Sequence, residues 1–396
     1  MNKKTSFLSW PHYGSDEIAA VTRVLRSGKV NQWTGQEVFN FEKEYARSLG
    51  VKYAVALANG SVALDMALMA LGVGVGDEVI VPSRSFVASA SCVALRGAIP
   101  VFCDIDRESQ NINVDNIKKV FSKKTRAVIA VHLAGWPCEL DSIRDYCKSK
   151  DIYLIEDCAQ AHGAKYKGKS AGSFGDVSCF SFCQDKIITT GGEGGLLVTN
   201  SKRIWQKVWS FKDHGRDYGA VFRKNNSRSF IWAVSSFGSN YRMTEVQAAI
   251  GRIMLKKLDG WVEKRRKLAQ ILNDGFTGMP ALKTTIPAKG FYHSYYKYYV
   301  YVKLEELKIN WSRDKILQEL ADRGIVCGSG ACSEVYLEKA FKDYRRKLGL
   351  PIQKRFPVAK MLGETSLMFQ VHPILTEADM DYIVEVMKRI MNKASW

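Results

Sequence analysis

The chain has 396 residues, a length that fits two or three domains and leaves room for a large buried interior. Its hydrophobic fraction of 46% and charged fraction of 25% match ordinary soluble globular proteins and exclude disordered, collagen-like and fibrous classes. A net charge of +18 admits nucleic acid, an anionic membrane face or a polyanionic small substrate as partner; the basic residues lie in short dispersed clusters such as Lys123–Arg126 and Lys264–Lys267, not in one arm, which argues against nucleic acid.

The first residues give only a broken apolar stretch after Lys3 and Lys4, so no secretory leader is expected. Apolar windows further on are strand-sized, well short of the roughly 18 to 20 residues of a membrane-spanning helix. Nine cysteines are scattered singly with no CxxC pair and no zinc-ligand spacing, which predicts reduced thiols, no metal site and a cytoplasmic protein.

From about residue 15 to 200 short apolar runs alternate with helical stretches, which predicts an α/β domain on a mainly parallel seven-stranded sheet. The expected strands are Tyr53–Leu57, Glu78–Pro82, Pro100–Asp104, Ala127–His132, Tyr153–Asp157, Val177–Phe182 and Gly195–Thr199. A helix is expected over Val62–Leu71, where Ala63, Leu64, Ala67, Leu68 and Leu71 recur at helical spacing. Beyond Asn240 the pattern predicts a helix over Thr244–Leu258 and a second through Leu272. A strand-like run at Tyr295–Val302, a helix near Arg313–Arg323 and a final helix over Thr376–Met391 follow, the last with a capping-box-like step from Thr376 to Asp379. The division expected is a large domain over 1–258 and a smaller C-terminal α/β domain over 259–396.

Four features point to one rim of the sheet. Asn59-Gly60-Ser61 follows a strand and opens a helix, a place where backbone N–H groups and the positive helix end receive phosphate. Phe86, after the next strand, brings an aromatic ring to the same edge. Asp157 ends a strand at the carboxyl edge, where ligand sites of α/β sheets lie. Lys186 follows the strand ending near Phe182 and precedes a Thr/Gly-rich loop. A phosphate cradle, an aromatic plate, a carboxylate and an amine are the parts that pyridoxal 5'-phosphate requires: the amine forms a Schiff base with its aldehyde and the carboxylate keeps its ring nitrogen protonated.

With these motifs in view, the chain resembles the DegT/DnrJ-type family of sugar aminotransferases, of the aspartate aminotransferase (type I) fold, from Trp10 to the final helix. The matching stretches include Ala58-Asn59-Gly60-Ser61, Glu156-Asp157-Cys158-Ala159-Gln160, Phe180-Ser181-Phe182, Lys186 with the Thr189–Gly195 loop, and Asn240-Tyr241-Arg242-Met243-Thr244-Glu245. The resemblance implies that Lys186 is the Schiff-base and proton-transfer lysine, Asp157 the partner of the pyridine nitrogen and Gln160 a contact to the ring or its hydroxyl. It implies Gly60, Ser61 and Ser181 as phosphate ligands, Phe86 as the stacking ring, and Asn240 as a residue that reaches the phosphate of the other subunit in a homodimer with shared sites. Glutamate is the implied amino donor and a nucleotide-linked keto (6-deoxy) sugar the implied acceptor, for an amino sugar of a surface polysaccharide or a glycosylated product. Lys29, His214, Arg216 and Arg242 are candidate substrate contacts, and His132 and His162 candidate pocket residues.

Lysine at 186, where the dehydrating relatives carry histidine, argues for transamination over keto-sugar dehydration. A keto-cyclitol aminotransferase would share the apparatus. An intact Lys186/Asp157 pair argues against a non-catalytic regulator. The aromatic stretch from Phe291 to Tyr299 is expected to be a strand of the small domain rather than part of the site.

Overall fold

The computed structural model describes residues 7–222, 233–330 and 332–396. The central sheet has the seven expected strands: β1 Tyr53–Leu57, β2 Glu78–Pro82, β3 Ile99–Cys103, β4 Thr125–Val131, β5 Tyr153–Asp157, β6 Val177–Ser181 and β7 Gly195–Thr199. Their spatial order is β1-β7-β6-β5-β4-β2-β3. Pairs from β6 to β3 are parallel, whereas β7 runs antiparallel to both β6 and β1. Two successive reversals restore the direction, so β1 points the same way as β2, β4, β5 and β6, and all five carboxyl ends share one edge. Helices cover both faces, which is why these strands read as continuous apolar runs without alternation.

Helix α1, Gly60–Leu71, follows β1 after only Ala58 and Asn59. The Asn59 side chain caps it, its Oδ1 accepting from the Val62 amide at 2.9 Å. Gly72 ends it at φ +75°, a left-handed conformation that glycine adopts without steric cost. The helix therefore begins two residues earlier than the apolar repeat alone indicates, and Gly60 and Ser61 become its first turn.

The two helices expected between 244 and 272 are one, α2, Glu245–Phe276. Its buried face runs unbroken through Ala248, Met254, Leu258, Val262, Leu268 and Leu272. That face outweighs Gly260, whose helical cost is about 1 kcal/mol. Residue 258 consequently lies inside a helix. A four-stranded sheet, β8 Leu282–Thr284, β9 Tyr298–Val302, β10 Cys327–Gly328 and β11 Ser366–Phe369, in the order β8-β9-β11-β10, builds a core of its own with the last helix, α3 Glu377–Ala394. The Thr376 hydroxyl accepts from the Asp379 amide at 3.2 Å while the Asp379 carboxylate receives the Thr376 amide at 2.8 Å, so aspartate completes the capping box. All nine cysteines are free thiols. Among the described residues no helix is long and apolar enough to cross a membrane.

Candidate functional site

A cavity of about 610 Å³ opens at the common carboxyl edge and is lined by Gly60, Ser61, Phe86, Asp157, Gln160, Ser181 and Lys186. Seven of the eight residues expected to serve the cofactor thus meet in one place, although they come from four separate strand ends.

The end of the cavity beside the start of α1 is shaped by a close approach of backbone. The amides of Gly60 and Ser61 lie in the first turn of α1, where N–H groups have no intrahelical acceptor and the helix end is positive. A Cβ at position 60 would stand 2.7 Å from the Ser181 Cβ and 3.1 Å from its Cα, so only glycine lets the end of β6 close against the helix. Gly60→Ala is expected to push Ser181 away from the helix end and weaken retention of a phosphate-bearing ligand by about tenfold, the scale of 1–3 kcal/mol for overpacking. Equilibrium dialysis measures it; an unchanged affinity would refute the cradle.

Asp157 is 5% exposed, with Oδ2 accepting from the Ser89 hydroxyl at 2.7 Å and Oδ1 from the Ala159 amide at 3.1 Å. The Ser89 oxygen is itself 2.8 Å from that of Ser85, so a short polar chain fixes the carboxylate. Gln160 is fixed similarly: its Oε1 accepts from the Ala134 amide at 2.7 Å and its Nε2 faces the Cys332 sulfur at 3.4 Å. Phe86 is exposed on the cavity wall, as a ring that stacks on a ligand must be before the ligand binds.

Lys186 has a side chain 15% exposed, with Nζ 3.5 Å from the Tyr296 hydroxyl, 3.5 Å from Asp185 Oδ1 and 4.9 Å from the centre of the Tyr296 ring. Tyr296 donates its hydroxyl to Asp185 Oδ2. Burial opposes ionisation of Asp185, yet Lys186, the Tyr296 hydroxyl and Lys297 outweigh it and hold its pKa below the ordinary carboxylate value.

Tyr296, Lys297, Met368 and Gln370 also line the cavity. The expectation that 291–299 is simply a small-domain strand is therefore corrected: Phe291–Tyr292 pairs with Lys165–Tyr166, the small-domain strand starts only at Tyr298, and the two residues before it line the site. Tyr295 at φ +46° marks the bend that redirects them. The sequence carries no signal for that bend, because an aromatic run reads as continuous strand.

The histidines serve the scaffold. His132 Nε2 lies 3.0 Å from Glu156 Oε2, and Glu156 also accepts from the amides of Gly172, Phe174 and Gly175 and the Ser178 hydroxyl, so this buried group beside Cys158 is fully engaged. His162 stands between the Tyr45 hydroxyl at 2.7 Å and the Ser181 carbonyl at 2.8 Å, tying the end of β6 to the scaffold. Neither lines the cavity. Burial pulls His162 and His372 down to about 3, and His293 well below its ordinary value of 6.5. All three are neutral when folded, so as pH falls through about 6.5 the unfolded chain takes up protons that the folded chain refuses. Each removes about 1.4 kcal/mol of stability per pH unit below that point. The urea midpoint is expected to be markedly lower at pH 5.5 than at pH 7.5; a flat profile would contradict the buried neutral histidines.

The candidate substrate cations stand apart from this cavity. Arg242 is ion-paired with Asp213, Arg216 lies 5.2 Å above the Trp33 ring, and Lys29 and His214 are exposed. Asn240 is exposed and bridges to Asp213, outside the cavity of its own chain.

Residues 11–388 match the family described as the DegT/DnrJ/EryC1/StrS aminotransferase family. Among solved structures, an aminotransferase from Psychrobacter cryohalolentis superposes with a TM-score of 0.94 at 48% identity, covering 98% of this chain and 99% of that one. A GDP-perosamine synthase of Escherichia coli O157:H7 is 35% identical over 351 residues, 89% of each chain. The spore coat polysaccharide biosynthesis protein SpsC of Bacillus subtilis is 32% identical over the full length of both chains.

Proposed function

The chain belongs to the DegT/DnrJ/EryC1/StrS aminotransferase family and is an aminotransferase of amino-sugar biosynthesis; from that premise we propose that it employs pyridoxal 5'-phosphate on Lys186 to move an amino group from glutamate to a keto sugar carried on a nucleoside diphosphate. The observation that carries this reading is the convergence of Lys186, Asp157 and the Gly60/Ser61 helix end on one cavity. The residues fit the cofactor: a glycine that a Cβ would jam supports the phosphate end, and a buried, doubly hydrogen-bonded carboxylate is ready for the ring nitrogen.

When bound, the cofactor supplies an aldehyde that exchanges with amines and a protonated ring that accepts an electron pair. Lys186 Nζ would hold that aldehyde and, once released, would be the base and acid that takes and returns the proton of the substrate carbon. Tyr296 and Asp185 keep the amine at the cavity wall during this transfer. Of the residues lining the cavity, Asp157 would keep the ring nitrogen protonated, Phe86 would cover the ring, Gln160 would contact the ring or its hydroxyl, and Ser61, Ser181 and the Gly60 amide would hold the phosphate.

A homodimer with shared sites belongs to the same reading. Asn240 is exposed and outside the cavity of its own chain, a placement that suits a contact to the neighbouring subunit's phosphate. The similarity to a GDP-perosamine synthase supports a GDP-linked or related acceptor, and the +18 charge supports attraction of a diphosphate. The test loads the enzyme, converts it with glutamate to the amine form, and adds a panel of nucleotide-linked 3-keto and 4-keto sugars and one keto cyclitol. Recovery of the aldehyde absorbance with a nucleotide sugar is expected; recovery with the cyclitol alone would reassign the acceptor.

A further inference from the structure

Of the described residues that line the cavity, Lys186 and Lys297 are the cationic ones. The two amines flank the same groups: Nζ of Lys297 lies 4.6 Å from the Tyr296 ring centre and 3.9 Å from Asp185 Oδ2, against 4.9 Å and 3.5 Å for Lys186, whose nearer Asp185 oxygen is Oδ1. Lys297 is 7% exposed and donates to Gln370 Oε1 at 2.8 Å, which uses one of three ammonium protons. Behind it Arg265, 1% exposed, reaches the carbonyls of Tyr295 and Tyr296 at 3.4 Å through Nη1, while its Nε and Nη2 have no hydrogen-bond partner. Asp185 is thus the acid that these three cations share, while the cavity's other carboxylates, Asp157 and Glu193, pair with neither lysine among the described residues.

A buried cation group with spare donors is costly unless an anion completes it. The strain is visible in the lysine itself: burial pulls Lys297 down to about 8, Asp185 pulling the other way and Arg265 and Lys186 adding to the fall. The missing anion must fit beside Lys186. A carboxylate on the carbon that gives up its amine is one bond from the reacting atom, whereas the diphosphate of a nucleotide sugar is separated from its keto carbon by part of the sugar ring.

We infer that Lys297, with Gln370 beside it, holds the α-carboxylate of the amino donor, and that buried Arg265 is the positioning charge that keeps this corner of the cavity positive. The inference rests on the aminotransferase reading above and assigns the donor half of that site. Lys297 falls in the stretch expected to be an ordinary strand, so the sequence alone gave it no role.

The experiment measures each half-reaction separately by absorbance in the loaded enzyme, for Lys297→Met and Lys297→Arg, and the binding of 2-oxoglutarate to the amine form by calorimetry. Loss of a charged hydrogen bond predicts a rise of about 10- to 100-fold in the glutamate concentration for half-saturation with Lys297→Met, and a matching loss of 2-oxoglutarate binding. Lys297→Arg should recover a large part of both, and the sugar half-reaction should change far less than the donor half. Weakening confined to the sugar half would overturn the inference in favour of a diphosphate contact. Equal small effects on both halves would overturn it in favour of a structural lysine. A wild-type chain that takes up no pyridoxal phosphate would sink the underlying reading instead, so the two failures are distinguishable.

Discussion

Lys186→Ala is expected to abolish the covalent cofactor and reduce turnover by at least about 10³-fold, since one substitution removes both the anchor and the proton carrier. The side chain is mostly buried against Tyr296 and Asp185, so its loss leaves a small space at a cavity wall and not a hole in either hydrophobic core. The protein should therefore fold, bind the cofactor reversibly through Gly60, Ser61 and Ser181, and lose the absorbance of the lysine adduct. Lys186→Arg should be equally inactive. A guanidinium keeps its proton at any working pH and cannot take part in the transfer. Absorbance scans with single-turnover kinetics check both variants; turnover within tenfold of wild type in either would remove Lys186 from the chemistry.

Asp157→Asn is the second large effect. The amide keeps the shape of the carboxylate and can still accept from Ser89 or the Ala159 amide, so folding should survive. What it lacks is the negative charge that holds a proton on the ring nitrogen. In a water-poor site the loss of such a fixed electrostatic partner costs about 2.7–4 kcal/mol in the barrier, or about 10²–10³-fold in turnover. The cofactor should remain attached to Lys186, which separates this defect from the first. Measured turnover within threefold of wild type would contradict the assignment.

Much of this cavity was legible in the sequence because the strand ends that line it are local signals. Asp157, Ser181 and the Asn59-Gly60-Ser61 turn each sit at the end of a strand whose apolar run is unmistakable, and a largely parallel sheet sends those ends to one edge. Helix α1 shows the limit of periodicity: an apolar repeat reports the buried face, whereas the cap at Asn59 sets the first turn. The continuity of α2 was hidden by Gly260, a local signal overruled by the face packed on both sides of it.

The side of the cavity lined by Tyr296, Lys297 and Gln370 was not legible. Tyr296 and Lys297 lie more than a hundred residues from Lys186, and Gln370 further still, so nothing in local spacing relates them to it. His132 and His162 were ambiguous for the converse reason. A histidine at or just after a strand end reads alike whether it faces the pocket or the core, and the hydrogen bonds to Glu156 and Tyr45 decide for the core.

The most direct measurement is borohydride reduction of the purified, pyridoxal-phosphate-loaded protein, followed by digestion and peptide mass spectrometry. A stable pyridoxyl-phosphate adduct confined to the peptide bearing Lys186 is the predicted result. An adduct on Lys297 or a surface lysine, with Lys186 unmodified, would contradict the account.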